Sequence, residues 1–107
     1  MSTQIDSNNL AILRASAYLA TALMKVLANP DRLMLLCQLS QGEKSVGELE
    51  ALTGIQQPTL SQQLTVLREN QVVNTRRDGK NIFYSVASKP VLAIIAVLAE
   101  QLCKLNK

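Results

Sequence analysis

The sequence contains no histidine, only two cysteines and only three aromatic residues among its 107 positions. The absence of histidine excludes most catalytic triads and many zinc sites before any motif is considered. Because Tyr18, Phe83 and Tyr84 are the only aromatic residues, we expect an aliphatic and therefore mainly helical core. The length, with 48% hydrophobic and 18% charged residues, predicts one ordinary globular domain over residues 1–107.

The sequence also has little that would direct it out of the cytoplasm. Met1–Asn9 is polar and lacks the apolar stretch of a secretory signal. The apolar run Pro90–Ala99 is ten residues long, which suits a buried helix better than a bilayer span. We therefore expect a cytoplasmic protein in which Cys37 and Cys103 are normally reduced.

The charge is mildly positive, with a formal net value of +3. Such a value suits a nucleic-acid partner but does not identify one. The distribution is more informative, because Arg76, Arg77 and Lys80 lie close together, whereas five of the eight acidic residues fall within 31–69.

Two long helices are predicted near the ends of the chain. Apolar residues at intervals of three and four predict a helix over Asn8–Ala28, and its two apolar stripes require cover on two sides, one of them from another subunit. Asn29-Pro30 is the start signal of a second helix. The last helix, from Lys89 to about Leu105, has a heptad spacing typical of a helix that packs along another helix. The heptad residues are Val91, Ile95, Leu98, Leu102 and Leu105.

A helix-turn-helix is predicted over about residues 45–70. Ser45 and Glu48 form a capping box at the start of a short helix, and Gly54 ends that helix in a left-handed conformation. The short helix is expected to bury Val46, Leu49 and Leu52.

The following helix, Gln57–Asn70, has the two faces that a DNA-reading helix needs. One face consists of leucines. The other is polar and rich in hydrogen-bonding groups, and comprises Gln57, Thr59, Ser61, Gln62, Gln63 and Thr65. The amides of Gln62 and Gln63 can pair with adenine, while the short hydroxyl side chains can reach phosphates or bases. A solvated helix face has a similar composition, so this interpretation depends on the neighbouring elements.

A basic β-hairpin follows, over about residues 72–87. Two strands, Val72–Arg76 and Ile82–Val86, flank an Asp-Gly turn signal. Arg77 and Lys80 are then placed to contact backbone phosphate or the neighbouring minor groove. The order α-α-α-α-β-β-α predicts a mainly helical fold with a β-hairpin wing, a winged helix-turn-helix that binds double-stranded DNA.

Four segments resemble the ArsR family of winged helix-turn-helix repressors, and the resemblance covers nearly the whole chain. They are LANPDRL at 27–33, SVGEL at 45–49, QPTLSQQL at 57–64 and RRDGKNIFY at 76–84. The resemblance implies a homodimer built on the first and last helices, which agrees with their apolar stripes. It also implies a repressor that leaves its operator when it senses an inducer. Many members have histidine where this chain has Gln63, so the family's base preference is not carried over.

The residues leave two classes of inducer to consider, a metal ion and a thiol-reactive species. The cysteine pair that metal-sensing members carry on the third helix is replaced here by residues 45–48, and the last helix has no histidine. Two cysteines alone would hold a soft metal only with other ligands, so no metal site is predicted. Their positions resemble the persulfide- and oxidant-responsive subgroup, the BigR, SqrR and HlyU type. That resemblance implies that Cys37 and Cys103 are the reactive pair and that a bond between them releases DNA.

Three other interpretations compete with this one. Each cysteine can be a small buried hydrophobic residue in a redox-insensitive regulator. A thiol enzyme is not expected, because it needs a CxxC motif or an activating histidine, and neither is present. A winged helix that binds only protein is the last alternative, and it would lack the steep salt dependence of DNA binding.

Overall fold

The structure, a computed structural model, describes residues 7–102 of the chain and the side chains from residue 9 onward. Its elements are α1 (Ser7–Leu27), α2 (Pro30–Leu39), β1 (Lys44–Ser45), α3 (Val46–Thr53), α4 (Thr59–Glu69), β2 (Val73–Asp78), β3 (Asn81–Val86) and α5 (Lys89–Leu102). The predicted winged helix-turn-helix, mainly helical with a hairpin wing, is confirmed.

The predicted element order omitted one strand. Lys44 and Ser45 form β1, which pairs antiparallel with Tyr84 and Phe83 of β3, so the sheet has three strands in the order β1-β3-β2. A strand of two residues is too short to show the alternation by which a strand is recognised in a sequence. This short strand joins the wing to the start of the helix-turn-helix.

The wing hairpin is longer and its turn tighter than predicted. Strands β2 and β3 pair antiparallel from Val73 opposite Val86 to Asp78 opposite Asn81. Only Gly79 and Lys80 remain for the turn. Gly79 has a φ of +65°, which a residue without a Cβ adopts at little cost.

The core is aliphatic, as predicted, with Tyr84 as its one aromatic member among the described residues. Helix α2 lies at its centre and packs against α1, α3, α4 and α5. The side chains with almost no exposed surface are Leu35, Leu36, Leu49, Leu60, Leu64, Leu67, Val72, Val91 and Ile95. Helix α2 therefore contacts both helices of the helix-turn-helix.

Two details of the helix packing differ from the sequence prediction. Val91 and Ile95 of the α5 stripe lie in the core of their own chain, whereas Leu102 is 77% exposed. The heptad residues of α5 therefore include some that pack inside their own chain and one that faces outward. Leu105 lies outside the described residues. In α3, Leu52 is 52% exposed although it was expected to be buried, whereas Leu49, three residues earlier, is fully buried.

Helix α1 leaves most of its apolar surface uncovered in the single chain. Leu23 is half-buried, and burial is complete only at Val26 and Leu27. The segment Asn9–Leu27 is long and apolar enough, at 19 residues, to cross a membrane by length and composition alone. The sequence analysis considered uninterrupted apolar runs and therefore did not identify this helix, in which isolated polar residues interrupt the apolar ones. Such a segment near the N-terminus is weak evidence for a membrane, since a helix of a soluble protein passes the same test.

Candidate DNA-binding surface and cysteine site

Local hydrogen bonds hold both ends of α3, the helix that precedes α4. The Ser45 hydroxyl accepts from the Glu48 amide at 3.2 Å, and the Glu48 carboxylate accepts from the Ser45 amide at 2.8 Å, which is the predicted capping box. Gly54 ends α3 with a φ of +76° and donates its N–H to the Glu50 carbonyl at 2.9 Å. These contacts set the direction in which the chain enters α4.

Helix α4 is anchored by the predicted leucines, since Leu60, Leu64 and Leu67 are at most 1% exposed. On the opposite side, Ser61 and Gln62 are exposed. Within the described residues, the Gln62 side chain makes no hydrogen bond, so both groups of its amide face solvent and can pair with a base edge.

The helix begins two residues later than predicted. Gln57 and Pro58 form a turn, and α4 starts at Thr59, which is half-buried. The Gln57 side-chain oxygen accepts a hydrogen bond from the Ser61 amide at 3.1 Å. Gln57 therefore satisfies one of the free amides at the start of α4, a capping role that the sequence did not reveal.

Gln63 differs from its neighbour Gln62. It is half-buried, and its side-chain oxygen accepts a hydrogen bond of 2.7 Å from Nη1 of Arg32, at the start of α2. The predicted adenine-pairing amide is thus partly engaged inside the molecule. Sequence reasoning missed Arg32, because its partner lies 31 positions away and no local pattern marks the pair.

The three cations of the wing are not equivalent. Arg77 and Lys80 are exposed, and neither side chain has an ion-pair partner among residues 9–102. Arg76 donates two hydrogen bonds, of 2.8 and 2.9 Å, to the carboxylate of Glu43, and its guanidinium lies 4.7 Å from the centre of the Phe83 ring. Arg76 therefore fastens the wing to the α2–β1 loop, whereas Arg77 and Lys80 face solvent.

The contact between Arg76 and Glu43 changes the acidity of both groups. The hydrogen bonds from Arg76, more than its charge, hold the pKa of Glu43 below its ordinary value of 4.5. The same bonds raise the pKa of Arg76. The pair is fully ionised at neutral pH.

Of the two predicted sensor cysteines, the structure describes only Cys37, because Cys103 lies outside the described residues. Cys37 is half-buried in the last turns of α2 and packs against the core, as its leucine-rich surroundings indicated. Its backbone carbonyl accepts a hydrogen bond from the Ser40 hydroxyl at 2.7 Å. Over residues 7–102, no three histidine, cysteine, aspartate or glutamate side chains come together as a metal site.

Comparison with known proteins identifies the family. Residues 29–75, from the start of α2 into β2, match the arsR family of bacterial regulatory proteins. The biofilm growth-associated repressor of Agrobacterium fabrum is 57% identical over 81 residues, which are 76% of this chain and 69% of that protein. The chain belongs to the ArsR family.

Solved structures agree with this ArsR-family assignment. The transcriptional repressor BigR from Xylella fastidiosa superposes with a TM-score of 0.82 at 46% identity, covering 87% of this chain and 95% of BigR. The homodimeric winged helix-turn-helix domain of Mb0332 from Mycobacterium bovis superposes with a TM-score of 0.65 at 30% identity, covering 100% of this chain and 94% of that domain. The ArsR-family chain is thus a DNA-binding transcriptional regulator of the BigR type.

Proposed function

We propose that this ArsR-family chain is a cytoplasmic homodimeric repressor that reads operator DNA with α4 and holds the DNA backbone with Arg77 and Lys80. The observation that carries the proposal is the exposed, hydrogen-bonding side of α4 above a buried row of leucines. Such a helix can enter the major groove while its other side stays anchored in the domain. Gln62 is the strongest candidate for direct base reading, with Thr59, Ser61 and Gln63 beside it.

We further propose that linkage of Cys37 to Cys103 by persulfide or oxidant releases the operator. A thiolate of one cysteine takes the outer sulfur of an organic persulfide, and the organic thiolate leaves. The thiolate of the other cysteine then attacks the inner sulfur and displaces hydrosulfide, leaving a disulfide. A direct disulfide requires the two Cα atoms to lie within about 7 Å, whereas a bridge that retains extra sulfur spans a longer gap.

Support for release comes from the position of Cys37. It lies on α2, which packs against both α4 and α5, so a new bond between α2 and the chain beyond residue 102 would strain the support of the reading helix. Both recognition helices must dock on DNA together, about one helical turn apart, so a small displacement is enough to weaken binding. This scheme requires no metal and no cofactor, and its inducer is a reactive sulfur species or an oxidant.

DNA binding is tested by selecting duplexes from a random pool with the reduced protein and titrating the selected duplex against salt. We expect affinity to fall steeply with salt, and Arg77→Ala and Lys80→Ala each to reduce the logarithmic slope by about one. Lys89→Ala, at the start of α5, removes an equal charge outside the wing and should leave the slope unchanged. A pool with no enriched duplex would contradict the proposal.

Release is tested on the same duplex with organic persulfide. Cys37→Ser and Cys103→Ser should bind DNA as tightly as the wild type when reduced and remain bound after treatment. Ser40→Ala alters the neighbour of Cys37 but keeps the thiol, so it should release normally. Mass spectrometry distinguishes a disulfide from a bridge that adds the mass of two sulfur atoms. Normal release by Cys37→Ser would refute the switch and leave DNA binding intact.

A further inference from the structure

The side chain of Arg32 connects three helices. Its backbone amide donates to the Asn29 side chain at 3.0 Å, which fixes it in the first turn of α2. From there, Nε donates to the Val26 carbonyl at 2.6 Å, and Nη2 makes a longer contact of 3.4 Å with the Lys25 carbonyl. The third nitrogen, Nη1, donates to Gln63 in α4 at 2.7 Å.

The contacts with α1 are those expected of a cation at a helix end. The last four carbonyls of a helix have no partner within the helix, and α1 ends at Leu27. The guanidinium of Arg32 binds two of these carbonyls, those of Val26 and Lys25, and is attracted by the negative end of the helix dipole. Arg32 is thus firmly attached to α1 before it reaches Gln63.

The contact with Gln63 carries this attachment to the reading helix. A guanidinium is planar and holds its donors in a fixed fork, so binding the carbonyls of α1 also fixes where Nη1 points. Both Arg32 and Gln63 are half-buried, which limits competition from water. Gln63 directly follows the exposed Gln62 on α4.

We propose that Arg32 is a positioning residue that fixes the orientation of α4 relative to the dimerisation helix α1 and thereby selects the spacing between operator half-sites. The inference rests on the proposed function, because it requires α4 to read DNA in a dimer held through α1. Each added base pair moves one half-site by about 3.4 Å along the DNA and rotates it by roughly 35°. A dimer whose reading helices are firmly held should therefore reject altered spacings, and a dimer with a loosened contact should tolerate them.

The experiment measures binding to three duplexes that share the half-sites selected by the wild type. Their central spacers have the selected length, one base pair more and one base pair fewer. Arg32→Met keeps most of the aliphatic part of the side chain and removes all of the side chain's hydrogen-bond donors. Arg68→Met, in the last turn of α4, removes the same charge from an exposed arginine whose side chain makes no hydrogen bond within residues 9–102.

We expect Arg32→Met to reduce the preference for the selected spacing by about tenfold, within the range typical of coupling between sites. Arg68→Met should weaken binding to all three duplexes by the same factor, because lost phosphate attraction does not depend on spacing. An unchanged spacing preference in folded, dimeric Arg32→Met would overturn the inference. A wild type that enriches no duplex would instead contradict the proposed function.

A second pair of variants tests the inference if Arg32→Met does not fold. Gln63→Met removes only the α4 end of the connection and leaves the contacts between Arg32 and α1. Gln62→Met changes the same residue type one position earlier, where no bond to Arg32 exists. Gln63→Met should relax the spacing preference, whereas Gln62→Met should change base preference at fixed spacing. If Gln63→Met and Gln62→Met prefer the selected spacing equally strongly, the inference is overturned.

Discussion

Neighbouring residues of the same type have different roles in this protein. Arg76 and Arg77 are adjacent on β2, and side chains alternate between the two faces of a strand. Arg76 therefore meets Glu43 and Phe83, whereas Arg77 points to solvent. Gln62 and Gln63 differ in the same way, because only Gln63 is within reach of Arg32.

The bond between Glu43 and Arg76 predicts a pH dependence of stability. The pKa of Glu43 is lowered on folding, so its stabilising effect is present above the ordinary value of 4.5 and is lost as the pH falls through the lower, folded value. Glu43→Gln should be less stable than the wild type at pH 7. The unfolding free energies of the two proteins should converge as the pH falls below 4.5.

Urea unfolding at several pH values measures this difference. Glu50→Gln is the control, since Glu50 is exposed on α3 and forms no ion pair within the described part of the chain. The difference in unfolding free energy between Glu50→Gln and the wild type should stay the same from neutral to acid pH. A constant difference between Glu43→Gln and the wild type down to acid pH would contradict the prediction.

Which residues lie on the exposed polar side of α4 could be predicted from the sequence, but which partners these residues have could not. The polar positions of α4 follow from helical periodicity, and most of them are exposed as expected. The partners of Gln63 and Arg76 lie 31 and 33 positions away and are brought close only by the packing of α2 against the rest of the fold. No pattern within a short window of sequence contains that information.

At the level of elements, the predictions that depended on backbone chemistry were the most accurate. The capping box at Ser45 and the left-handed Gly54 were both found as predicted. Pro58 correctly indicated that a helix starts nearby, but it did not identify the first helical residue. Gln57 and Pro58 form a turn, so α4 begins at Thr59. Burial on α5 was predicted less well, since a heptad pattern does not distinguish a contact within one chain from a contact between two.

The two glycines of α3 and its C-cap allow a matched prediction. Gly54→Ala should destabilise the fold by about 1 kcal/mol, because its φ of +76° is unfavourable for a residue with a Cβ. Gly47→Ala should stabilise it by about 0.5 kcal/mol, because Gly47 has ordinary helical geometry and open space around it. Urea unfolding free energies test both, and equal effects of the two changes would refute the argument.

At the scale of the whole molecule, the uncovered side of α1 is the dominant feature. Its most exposed large residues include Leu19 at 75% and Tyr18 at 72%. A surface of this kind on a helix that is otherwise poorly covered indicates an interface. The homodimeric domain of Mb0332 has the same fold, so a second copy of this chain is the partner that we expect on α1.

Leu19→Glu should disrupt this interface. It places a charge in an apolar contact, and we expect the dimer dissociation constant to rise by about 100-fold or more, on the order of 3 kcal/mol. Affinity for the selected duplex should fall with it. Leu52→Glu introduces the same charge at an exposed leucine of α3 and should leave the protein dimeric. Sedimentation velocity measures the change, and a fully dimeric Leu19→Glu would contradict the prediction.

The three-stranded sheet has a further consequence, for the behaviour of the protein at high concentration. An outer strand with unpaired backbone groups invites another chain to add to it, which is a route to aggregation. One edge here is β1, which has two residues and offers little to pair with. The other is β2, whose exposed stretch carries Arg76, Arg77 and Asp78. The charges of β2 beside the turn therefore also discourage edge-to-edge association, so Arg77, proposed above to bind DNA, also helps to keep the protein dispersed when no DNA is bound.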